Sequence, residues 1–129
     1  MEYKEFVEIL RYNNFRRKRV KIDVFALLDD SKLSYLSKFI KTQDMDFIKD
    51  LKHLIVTSLK NLHGENEQRF RRFIEQNHKA PTNKAIVEKL FELSSVQVGE
   101  DSIARASKIL KRASTEMLAE WQDSRDQNR

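Results

Sequence analysis

The sequence predicts an all-α protein, a compact bundle of five or six helices. Three observations carry that expectation. Only 2 glycines and 1 proline occur in 129 residues, against average usage of roughly 7% and 5%, and a sheet with tight turns needs such breakers. Apolar residues recur every three or four positions along most of the chain, the period of an amphipathic helix. Finally, 40% of residues are hydrophobic and 35% charged, a polar but foldable composition. No internal repeat, linker or low-complexity segment divides the chain, so residues 1–129 are expected to form one domain. A chain of this size can bury about two-thirds of its unfolded surface.

The helices follow in order. Residues 2–14 place Tyr3, Phe6, Val7, Leu10 and Asn14 on one face and Lys4, Glu5, Glu8 and Arg11 elsewhere. Residues 15–28 carry two patterns. Val20, Ile22 and Val24 alternate like a strand, whereas Val24, Phe25, Leu27 and Leu28 suit a helix; a loop running into a short helix fits a helical chain better. Over 31–41, Leu33, Leu36, Phe39 and Ile40 share a face, with Ser31 as the expected N-cap. Asp44 is expected to cap the next helix, which runs to about Leu62. Its stripe of Ile48, Leu51, Ile55, Leu59 and Leu62 is widened by Phe47, Leu54 and Val56, the mark of a central, buried helix. Gly64 stands where a left-handed C-terminal cap belongs.

Residues 66–77 turn Phe70, Phe73 and Ile74 inward. The run HKAPT breaks the pattern, because Pro81 lacks an amide donor and restricts its predecessor. Thr82 is the expected cap of a helix through Leu93 with Ile86, Val87, Leu90 and Phe91 inside. SSVQVGED reads as a loop. The last helix, about 101–122, has a near-heptad seam of Ile103, Ala106, Leu110, Ala113, Met117 and Trp121. On this reading Trp121 belongs to the core rather than to a base-stacking surface. The tail 123–129 is expected to fray.

The absence of cysteine excludes disulfides, thiolate catalysis and cysteine-based zinc sites. The charged start MEYKEFVEIL lacks the apolar region of a signal peptide. No stretch approaches the ~18 apolar residues of a membrane span. A cytoplasmic protein without membrane contact is the expectation.

Charge supplies the sharpest signal. In residues 16–21, RRKRVK, five of six side chains are cationic. The remaining twenty cations and twenty acids cancel, so this tract alone accounts for the net charge of +5. Concentrated like charge is costly unless a partner offsets it. Arg16, Arg17, Lys18, Arg19 and Lys21 are therefore candidate phosphate contacts on RNA or single-stranded DNA, where cations displace condensed counterions. An acidic protein is the alternative partner. Arg69, Arg71 and Arg72 interleave with Phe70 and Phe73, and Arg105, Lys108 and Arg112 line one face of the last helix. If these surfaces adjoin the tract they form a basic groove, with arginine forks suited to phosphate. The competing reading is local helix solvation, since Glu67–Arg71 and Arg112–Glu116 have pairing spacing.

Catalytic signals are sparse. Arg72 and His78, with five residues between them, resemble the R-x(4–6)-H motif of HEPN-type ribonucleases, which are helical bundles. That resemblance implies phosphorane stabilisation by Arg72 and proton transfer by His78. However, Phe73 replaces the usual polar residue, and a histidine at a helix C-terminus is favourable in its own right. A helix-turn-helix over 82–93 and 102–112 meets a connection about twice the standard three or four residues. Asp44, Asp46 and Asp50 are explained by helix N-terminal electrostatics rather than by a metal. His53, His63 and His78 have no paired-ligand spacing, and nothing calls for a cofactor. Binding outweighs catalysis.

In size, helical pattern, lack of cysteine and scattered Lys/Arg faces, the chain resembles the small all-helical subunits of CRISPR effector complexes. That resemblance covers the architecture of the whole chain and rests on no signature residues. It implies antiviral defence, contact of Arg16–Lys21 and Arg69–Arg72 with a nucleic-acid backbone, and docking onto other protein subunits. The expected function is thus that of a non-catalytic, backbone-binding subunit of a ribonucleoprotein.

Overall fold

The computed structural model describes residues 1–17, 30–75, 80–99 and 101–127. The described residues form an all-α bundle: α1 (Tyr3–Arg17), α2 (Asp30–Leu36), a 3-10 turn (Ser37–Phe39), α3 (Thr42–Asn61), α4 (Gly64–Glu75), α5 (Asn83–Leu93) and α6 (Ser102–Gln127). Buried apolar side chains form one cluster fed by all six helices. The short helix expected within 15–28, together with Lys18, Arg19, Lys21 and His78, lies outside the described residues.

α3 is the hub. Its stripe of Ile48, Leu51, Ile55 and Leu59, continued by Leu62, is buried, and α1, α5 and α6 all pack against the helix. The wide stripe in the sequence anticipates this. Asp44, however, is not the cap. The helix starts from Lys41 without a side-chain cap, so Asp44 falls in the first turn. There its carboxylate faces the positive helix end. Ser31 likewise lies inside α2, which begins at Asp30. The helix expected over 31–41 tightens at Ser37 into the 3-10 turn, where Ser37 Oγ donates to Ser34 O at 2.6 Å, and Ile40 is extended.

Between α3 and α4, Gly64 has φ +63°, the left-handed geometry that glycine adopts without strain. Thr82 caps α5: its Oγ1 accepts from Ala85 N at 3.0 Å. At the other end, Ser95 N donates to Glu92 O at 3.3 Å and Val96 N to Phe91 O at 3.1 Å. These are the two bonds of a Schellman motif. Here Ser95, at φ 56°, occupies the left-handed position usually given to glycine.

α1 reaches Arg17, three residues beyond the expected end, which sets Arg16 and Arg17 in its last turn. Cations there interact favourably with the negative helix end. Its polar inward position is Asn13, 1% exposed, rather than Asn14. Asn13 Nδ2 donates to Pro81 O at 2.7 Å and to Asn83 Oδ1 at 3.0 Å, and Asn83 Nδ2 donates to Leu10 O at 3.2 Å. This amide pair fixes α1 against the start of α5.

α6 departs most from expectation. Ile103, Ala106, Leu110 and Ala113 are buried and Met117 is partly covered, but Trp121 is 56% exposed. The seam continues past the end of the core. The helix also runs to Gln127, past the expected end near residue 122.

Urea denaturation checks two consequences. Asn13→Ala removes both donors and strands Pro81 O and Asn83 Oδ1, with an expected loss of about 1–3 kcal/mol. Ser95→Gly relieves the left-handed strain and is expected to stabilise by roughly 0.5–1 kcal/mol; destabilisation would mean that the serine side chain contributes more than its backbone costs.

Candidate nucleic-acid interface

Two grooves hold four of the described candidate cations, Arg16 and Arg71 in one and Lys108 and Arg112 in the other. The first lies between α1 and α4, has a volume of about 340 Å³, and is lined by Arg16, Arg71, Tyr12 and Ile74 together with Glu5, Glu8 and Glu75. Arg16 thus adjoins Arg71 of α4. The groove is nevertheless not basic. Arg71 Nη1 donates to Glu5 Oε1 at 3.0 Å, and Arg71 Nη2 lies 3.5 Å from Glu67 Oε1. The Glu5 hydrogen bond, supported by Glu67, holds the Arg71 guanidinium above its ordinary pKa, so it stays charged and anchored. Arg69 pairs with Glu65 at 3.0 Å. Arg16 Nη1 donates to Ile74 O at 3.3 Å, satisfying a carbonyl of the last turn of α4. Arg17 and the exposed Arg72 make no ion pair among the described residues.

The second groove runs between the 3-10 turn with the start of α3 on one side and α6 on the other, with a volume of about 430 Å³. Lys38, Lys41, Lys108 and Arg112 line it over an apolar floor of Phe39, Ile40 and Ile109, with Asp44 and Glu116 as its acids. Both acids are already engaged. Arg105 Nη2 donates to Asp44 Oδ1 at 3.4 Å while its guanidinium stacks 4.4 Å from the Phe47 ring centroid. Arg112 Nε donates to Glu116 Oε1 at 3.2 Å. Lys41 and Lys108 make no ion pair among the described residues, and Lys38 Nζ lies 5.0 Å from the Tyr35 ring centroid. After pairing, three lysine charges remain around one concavity.

Arg71 of α4 and the α6 pair Lys108 and Arg112 thus line different grooves, not one. The sequence reading missed Lys38 and Lys41, although the pattern Lys-Phe-Ile-Lys flanks the two apolar floor residues. Of the remaining polar candidates, Asp46, Asp50, His53 and His63 are all exposed. α5 ends at Leu93 and α6 begins at Ser102, a separation longer than a helix-turn-helix connection. No helix among the described residues is long and apolar enough to cross a membrane. Compared with known proteins, the chain matches no family model, no curated protein and no solved structure.

A double-mutant cycle on Glu5→Gln and Arg71→Met is expected to give a coupling of about 0.2–1 kcal/mol, shrinking as salt is raised because both side chains are partly exposed. Zero coupling at low salt would contradict the anchoring of Arg71.

Proposed function

We propose that this chain is a non-catalytic module that binds nucleic-acid backbone through the groove between the 3-10 turn and α6, assisted by the Arg16–Lys21 tract. One observation carries the reading. Lys38, Lys41 and Lys108 converge on a groove whose two acids are each bonded to an arginine. Such a surface neutralises phosphates and releases counterions, with affinity that falls steeply with salt. It positions a strand without reading sequence. The size, helical architecture and basic faces fit a small subunit within a larger ribonucleoprotein, of the kind found in CRISPR effector complexes. In that setting the RRKRVK tract supplies a second, additive phosphate contact.

The test is a salt titration of RNA and DNA binding. Wild type is expected to bind with a steep dependence of log K on log salt. Lys38→Ala/Lys41→Ala/Lys108→Ala is expected to lower that slope by about 2, at about 0.7–0.9 per lost phosphate contact. Replacing Arg16, Arg17, Lys18 and Arg19 by alanine lowers it separately. No binding at low salt overturns the reading and redirects the search to an acidic protein partner.

A further inference from the structure

We infer that the C-terminal half of α1 is a second contact for nucleic acid, in which the rings of Tyr12 and Phe15 stack on the bases of a single strand while Arg16 and Arg17 hold its phosphates. The inference rests on the backbone-binding reading above for the class of ligand. It adds the form of the strand and a site apart from the α6 groove.

The sequence of α1 is polarised. Its acids, Glu5 and Glu8, stand in the first half, whereas residues 11–17, RYNNFRR, hold three arginines, two aromatics and no acid. Tyr12 is 65% exposed and Phe15 79%. Neither side chain makes a ring contact, a cation–π contact or a hydrogen bond among the described residues.

Phe15 and Arg16 stand three and four residues beyond Tyr12, the spacings that make neighbours on a helix surface, with Cβ atoms about 5–6 Å apart. The three therefore form one strip along α1. The buried Val7 and Leu10 lie about 140° and 160° around the helix from Tyr12, so packing turns the strip to solvent. Arg16 is held beside Tyr12, in the groove both line. Its Nη1 donates to Ile74 O, which leaves the rest of the fork for a phosphate oxygen. Arg17 follows, and the other cations of RRKRVK come directly after it in sequence.

The nearby acids set the polarity of the site. Glu5 is bonded to Arg71. Glu8 lies one turn, about 6 Å, back along α1 from Tyr12, and Glu75 lines the groove from α4. These acids repel phosphate from the groove itself. The backbone therefore belongs at the Arg16–Arg17 end, with bases laid across the two rings.

Cations beside exposed aromatic rings hold single strands, because every unstacked base offers a π-face. A duplex keeps its bases stacked inside itself and can use the arginines alone. A second copy of the chain is the weaker occupant. With at most about 250 Å² for each ring, the exposed parts of Tyr12 and Phe15 reach less than half of the roughly 800 Å² per partner that a stable interface buries. A symmetric dimer on this strip would also set the arginines of one copy beside those of the other.

The full chain would be titrated at low salt with fluorescently labelled oligouridine and oligothymidine, with duplexes of equal length, and with polyglutamate as the acidic-protein surrogate. Single strands are expected to bind more tightly than duplexes or polyglutamate. Tyr12→Ala and Phe15→Ala are each expected to weaken single-strand binding at least about fivefold, with duplex affinity and salt slope unchanged. Tyr12→Phe and Phe15→Tyr are expected to retain most of the affinity. Circular dichroism of each variant controls for folding. Unchanged single-strand affinity in both alanine variants overturns the stacking site, and a salt slope still lowered by the triple lysine variant then leaves backbone binding standing. An equal loss for single strands, duplexes and polyglutamate also overturns the stacking site. So does a dimer in sedimentation that Phe15→Ala abolishes while single-strand affinity is unchanged. No binding of any nucleic acid overturns both readings.

Discussion

Burial of one stripe of α3 is the constraint on which the rest of this structure depends. Ile48, Leu51, Ile55, Leu59 and Leu62 are each at most 2% exposed, and each contributes about 1.5–3 kcal/mol by leaving water. Against that, the net gain from one of the Asn13–Asn83 hydrogen bonds is about 1 kcal/mol. Burial therefore decides that α1, α5 and α6 gather round α3. The amide pair decides which residues of α1 meet the turn at Pro81, because sliding α1 along its axis would strand buried amides. Asn13 Oδ1 is already buried without a hydrogen-bond partner among the described residues, so that register carries a cost which the surrounding apolar contacts offset.

The same hierarchy explains what could be read from the sequence. Core positions with a helical period were legible because burial repeats them: every residue of the α3 and α5 stripes falls where the spacing puts it. Capping was legible where the side chain competes with nothing else, as at Thr82. It failed at Asp44, because α3 begins at Thr42 and leaves Asp44 inside the first turn, where its carboxylate accepts from Arg105 of α6, a contact that local spacing does not reveal. Asn14 was preferred to Asn13 because a side-chain amide carries no periodic signal, and its burial depends on Pro81 and Asn83, about 70 residues away. Trp121 failed for a different reason. A seam records what a helix face can bury, not how far the core extends. The buried part of α6 ends at Ala113 and Ser114, whereas the seam runs on to Trp121.

Charge was legible in total and misleading in place. A run of cations marks a basic surface only if no acid folds against it. The arginines at 69 and 71 in α4 were each met by a glutamate, at 65, 5 or 67, so a sequence-dense cluster became an ordinary paired helix face. The converse happened at Lys38 and Lys41. They belong to a stretch, residues 22–50, whose charges sum to −2, and no local count singles them out. Folding brings them opposite Lys108 of α6, while the acids nearest them pair with Arg105 and Arg112. With a Debye length of about 8 Å at physiological salt, what matters to a polyanion is charge within one concavity, not charge within one stretch of sequence.

These two features, a core that ends early and lysines left over after pairing, belong to different faces of one helix. Lys108 and Arg112 lie about 140° and 180° around α6 from Trp121, so the seam that outruns the core does not point into the basic groove. The groove owes its charge to packing instead. The 3-10 turn lies against α6, which sets Lys38 and Lys41 opposite Lys108 over Phe39, Ile40 and Ile109. Asp44 and Glu116, the acids of that groove, are bonded to Arg105 and Arg112. On the proposed reading, the surplus left by that pairing is an attraction that any phosphate backbone satisfies and that salt erodes, which gives affinity without a choice of sequence.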